Sequence, residues 1–111
     1  MDKKVIITLS EPLETMAGQT ISELTADFSK VRAKDVATIS RLERKLKGGG
    51  EDIDVGSFSK AASPEWRAAF TWIAVLKATK GVCYDDIDNM SIIDFMELSS
   101  ISLPFAAKIS I

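Results

Sequence analysis

Polar and apolar residues interchange along the first stretch of the chain. From Lys4 to Ser10 the run is rich in Val and Ile with Thr8 included, which predicts a strand. Glu11 to Gly18 reads as a turn region, with Gly18 able to take the positive φ that a tight connection often requires. Gln19 to Phe28 alternates again: the phase set by Ile21 slips at Leu24, and the alternation resumes through Ala26 and Phe28. Two such runs around a glycine-containing connection predict an antiparallel β-hairpin within residues 1–30. A lone hairpin is marginal in water, so this one must pack on helices or pair with another chain.

The period then changes. Val36, Ile39, Leu42 and Leu46 recur at spacings of three and four, with Lys34, Asp35, Arg41, Glu43, Arg44 and Lys45 between them. This predicts an amphipathic helix over 33–47, stopped by Gly48-Gly49-Gly50. Residues 48–62 mix Gly, Ser, Asp and isolated apolar positions and read as a flexible loop. Ser63-Pro64-Glu65 is a helix start: a capping hydroxyl, a proline suited to the first turn, and a carboxylate at the positive end of the dipole. The helix over 63–80 carries Trp66, Phe70, Trp72, Ile73, Ala74, Val75 and Leu76 and stops at Gly81. So broad an apolar surface makes it central to the core, or core on one side and partner-facing on the other. Residues 84–103 read as a helical C-terminal part. A short turn at Tyr84–Met90 leads to a helix capped by Ser91, with Asp94 three residues on. There Ile92, Phe95, Met96 and Ser99 share a face, and Pro104 ends the helix before an apolar tail, 104–111. The expected fold is α+β: one domain, 1–111, with an N-terminal antiparallel hairpin followed by three to four packed helices.

Composition narrows what such a domain does. With 111 residues, 46% hydrophobic and 27% charged, one modest core is feasible. The net charge is −2, and Glu43 interrupts the one basic run, Arg41, Arg44, Lys45 and Lys47. We read that run as a solvated helix face and expect no nucleic-acid binding. The apolar stretch Ala68–Leu76 is too short to span a bilayer, and the N-terminus does not read as a signal peptide. A single cysteine, Cys83, excludes an intramolecular disulfide and suits the cytoplasm.

Histidine is absent, which removes the commonest general base and metal ligand. Cys83 reads as a small buried hydrophobe. Asp85, Asp86 and Asp88 lack the central glycine and terminal glutamate of a calcium loop, and read as residues that cap and solubilise a turn. Gly48-Gly49-Gly50 follows a helix and precedes no Gly-Lys-Ser/Thr, so it is no phosphate loop. Trp66, Phe70 and Trp72 have Arg67 as their basic neighbour and read as core rather than as a base-stacking platform. We expect no enzyme, no metal and no cofactor.

The ordered motifs resemble a family. Val5-Ile6-Ile7-Thr8-Leu9-Ser10-Glu11-Pro12-Leu13 followed by Gly18-Gln19-Thr20-Ile21-Ser22-Glu23-Leu24 is similar to the N-terminal hairpin of the tail assembly chaperones of Mu-like and P2-like long-tailed phages. The resemblance continues at Arg32-Ala33-Lys34-Asp35-Val36, at Phe70 to Lys77, at Tyr84-Asp85-Asp86-Ile87, and at Met90 and Asp94-Phe95. It spans most of the chain and rests on the series rather than on any one motif. The chain departs from the family in the glycine-rich stretch 48–62 and in the apolar end after Pro104.

The resemblance implies a chaperone in the host bacterial cytoplasm that binds and solubilises the phage tape measure protein before tail-tube polymerisation. It also implies self-association and contact with the major tail protein as further partners. The alternative is a small structural tail or head-completion protein retained in the virion. The partner-binding residues we expect are Trp72, Val75 and Leu76 on the second helix, Ile93 and Phe95 on the third, and Phe105 beyond it. Core packing is the competing role for each.

Overall fold

A computed structural model of the chain describes residues 3–48 and 63–103. The fold is α+β: an N-terminal antiparallel hairpin followed by helices. Strand β1 is Lys4–Glu14 and β2 is Thr20–Asp27; helices α1, α2 and α3 are Val36–Leu46, Pro64–Ala78 and Ile92–Ile101. Short 3-10 turns at Phe28–Lys30, Ala33–Asp35 and Tyr84–Asn89 join them. The expected loop beyond Gly48 and the apolar tail 104–111 lie outside the described residues.

One expectation is corrected at the hairpin. Glu11-Pro12-Leu13 belongs to β1, not to the turn. The ladder runs from Lys4↔Asp27 to Thr8↔Glu23 and resumes at Leu13↔Ile21, so Leu9–Pro12 face Ser22 alone across a bulge. Proline lacks an N–H and is tolerated at such an interruption. Ile7, Leu9 and Leu13 are buried, as the period-2 alternation of odd positions along β1 places them, while Glu11 between them stays exposed at the bulge. The tight turn follows, closed by Thr15 N–H to the Gln19 carbonyl at 2.8 Å, with Gly18 at φ +87° as expected.

Helix α2 is the centre of the molecule, packing against α1, α3 and β2. Ser63 caps it, accepting from the Trp66 amide at 3.0 Å. Nine of its residues are buried, among them Trp66, Phe70 and Trp72. Phe70 meets Phe28 edge-on at 5.2 Å between ring centroids and Trp66 at 5.4 Å. These contacts bring the hairpin's apolar face onto the helix, which is what a two-stranded sheet requires for stability.

Both edges of that sheet are held by helical-side groups. On β2, the Thr79 hydroxyl accepts from the Thr25 amide at 2.9 Å and donates to the Thr25 carbonyl at 2.7 Å. On β1, Asp94 accepts from the Ser10 amide at 2.8 Å and the Glu11 amide at 3.3 Å, the N–H groups that leave the ladder at the bulge. A third clamp is Asp86, fully buried, which accepts from Met16 in the hairpin turn and from Cys83 at the start of its own turn.

Candidate functional site

Helix α3 carries the surface feature of most interest, and its local sequence explains it. The side it presents to α2 is small and polar. Ser99 donates to the Pro64 carbonyl at 2.8 Å, Ser102 to the Arg67 carbonyl at 3.1 Å, and Thr71 of α2 to the Leu98 carbonyl at 2.7 Å. Arg67 reaches the Ser99 carbonyl from the same packed side. Short side chains let the two helices approach closely, and each hydroxyl finds a backbone acceptor. Leu98 and Asp94 complete the buried side.

The large apolar residues of α3 therefore point outward. Ile92 is 68% exposed, Ile93 66% and Met96 62%, with Leu103 just beyond the helix also exposed. By helical spacing Ile92, Met96 and Leu103 form one line, and Ile93 lies beside it. Next to this line runs an open groove of about 400 Å³, lined by Leu46, Ile87, Met90, Ile92 and Phe95, with Glu65 and Asp88 at its rim. Scattered exposed apolar residues are ordinary; a contiguous run on one short helix beside an apolar groove is the pattern of a protein-binding surface.

The charges around this surface are mostly negative. Asp85 and Asp88 share one cation, Lys45, at 2.6 and 3.0 Å. The hydrogen bond from Lys45 to Asp85, with Asp88 reinforcing it, holds that ammonium above the usual lysine range. The Lys45 ammonium also lies 5.4 Å from the centroid of the Tyr84 ring. Burial pushes the Asp94 carboxyl up, but the Ser10 amide, the Ser91 hydroxyl and the Glu11 amide outweigh it and leave it below its ordinary value.

The expected binding residues separate. Trp72 and Val75 have no accessible surface: both are core, and neither can touch a partner docked on this fold. Trp72 is further fixed by its indole N–H, which donates to the Tyr84 carbonyl at 2.9 Å. Leu76 is half-buried and lines a different cleft with Lys4, Lys30, Lys77 and Lys80. Ile93 and Phe95 do lie on α3, one exposed and the other half-buried against the groove. Phe105 is outside the described residues. Sequence reasoning missed Ile92, Met96, Met90 and Leu46 as surface residues of one site. It counted Ile92 and Met96 on a shared face but gave no reason for that face to turn outward.

Two other expectations change. Cys83 is exposed rather than buried, because it stands at the N-terminal end of the 84–89 turn. Glu43 is not part of a solvated face: it is buried, accepts from the Ser63 hydroxyl at 2.9 Å and pairs with Lys47 at 3.1 Å. Among the described residues no group of three or more potential ligands is placed to hold a metal, and no helix is long and apolar enough to cross a membrane. No family model, curated protein or solved structure matches the chain.

Proposed function

We propose that this chain is a tail assembly chaperone of a long-tailed phage or prophage, acting without catalysis in the host cytoplasm. It binds the tape measure protein and keeps it soluble until tube subunits polymerise around it. The observation that carries the reading is the outward apolar line Ile92, Ile93, Met96 and Leu103 beside the Leu46–Phe95 groove. Burying that surface against a partner is favourable at roughly 25 cal/mol per Å² of apolar area removed from water, before the costs of association. A long helical protein with exposed apolar stripes is a partner of matching chemistry.

The order of the Thr8–Leu13, Gly18–Leu24 and Asp94-Phe95 motifs supports the same reading through the family resemblance. The test is co-expression with the longest helical gene product of the same gene neighbourhood. A soluble complex that forms only with this chain supports the proposal. Finding the chain as a stoichiometric part of purified particles, with no such complex, supports a structural virion protein instead.

A further inference from the structure

The charge around the α3 surface specifies its partner more closely than apolarity alone. Helix α3 carries no basic residue in its ten positions, Ile92–Ile101. On the groove side the rim holds Glu65 and Asp88, with Asp85 alongside, and Lys45 is the shared counter-ion of the two aspartates. On the opposite margin, helical spacing puts Glu97 four residues beyond Ile93. Glu11 follows on the β1 side, its amide bonded to Asp94. The apolar line is thus bordered by carboxylates on both sides.

We propose that this surface takes a single amphipathic helix whose apolar stripe is flanked on both sides by Lys or Arg. The inference rests on the chaperone reading for the partner's identity and on this surface for its chemistry. A second copy of the chain is a poorer occupant. Two-fold pairing brings each patch against itself, setting Glu97 and the groove-rim carboxylates against their own counterparts.

Two synthetic helical peptides of about 18 residues, a length that spans more than the α3 face, test the idea. Both carry the same leucine stripe; one has Lys flanks and the other Glu flanks. Fluorescence anisotropy with the full chain at low salt is expected to show the Lys-flanked peptide binding about tenfold tighter or more, with the gap narrowing as salt rises. Glu97→Lys narrows the gap without abolishing binding. Met96→Asp separates docking from simple charge attraction: it adds a negative charge, so bulk attraction would strengthen binding, whereas occupation of the apolar line is lost.

Equal binding of the two peptides overturns the proposal, as does Lys-peptide binding that survives Met96→Asp. Dimerisation of the chain through this face in sedimentation, with neither peptide bound, also overturns it. A chain that prefers the Lys peptide yet fails to solubilise the long helical gene product contradicts the chaperone reading alone. One that solubilises it while ignoring peptide charge contradicts this inference alone.

Discussion

Asp86 and Asp94 do more for this fold than their place in a polar turn and a helix cap suggests. The Asp86 carboxylate accepts the Cys83 amide of its own segment and the Met16 amide of the hairpin. The Asp94 carboxylate accepts the Ser91 hydroxyl of its own cap and the Ser10 and Glu11 amides of the hairpin. These contacts to the hairpin span 70 to 84 residues. Hydrogen bonds to charged acceptors are among the stronger ones, and removing the acceptor strands buried donors. Asp86→Ala is expected to cost about 2–3 kcal/mol in urea unfolding, because it frees the Met16 and Cys83 amides together. The Asp94 carboxyl lies below its ordinary value of 3.8, so its stabilisation is complete above that value and is lost as pH falls through the lower, folded one. Asp35, held down by the Arg32 amide and by Lys77, acts in the same direction. The urea midpoint of the wild type should therefore drop on acidification below about pH 4, and Asp94→Asn should flatten that drop. Sequence made Ser91 and Asp94 legible as a cap. The long-range half of Asp94's role was not, since nothing local marks which amides a bulge will release.

At the scale of elements, the helices were legible where a residue's chemistry is local. Ser63-Pro64 starts α2 and Ser91 starts α3 as their side chains dictate. The hairpin was legible in its two runs, but Pro12 pointed to a turn when it marks a bulge inside β1. Helix α3 was the harder case. Its hydrophobic residues suggest an inward face, yet close packing on α2 through Ser99, Ser102 and Thr71 sends Ile92 and Met96 outward. Two predictions separate core from surface. Trp72→Ala leaves a cavity at the centre of α2 and should cost about 3–5 kcal/mol, read as a large fall in the thermal midpoint by circular dichroism. Met96→Gln removes only exposed apolar area and should change stability by about 0.5 kcal/mol or less. The same Gln variant should weaken capture of the partner. Gly81, at φ +86°, ends the run after α2 with the Gln19 side chain where a Cβ would sit. Gly81→Ala is accordingly expected to destabilise by about 1 kcal/mol or more, measured by the same melt.

For the molecule as a whole, α2 organises the core, the two aspartate clamps lock the hairpin to the helical side, and α3 is left with an apolar outer line. Such an arrangement separates stability from recognition. The residues that hold the fold, Trp72, Val75, Asp86 and Asp94, are buried, and those offered to a partner, Ile92, Ile93 and Met96, contribute little to the core. That division is what the chaperone account requires, since a holding protein must present apolar surface without unfolding or collapsing on itself.

The most direct test of the account is a tagged pull-down from cells co-expressing this chain with the longest helical gene product of its neighbourhood, wild type beside Met96→Asp. The account predicts soluble partner recovered with the wild type and lost with the variant, while the variant itself remains folded. Partner that stays insoluble in both, or that is recovered equally with both, would contradict it.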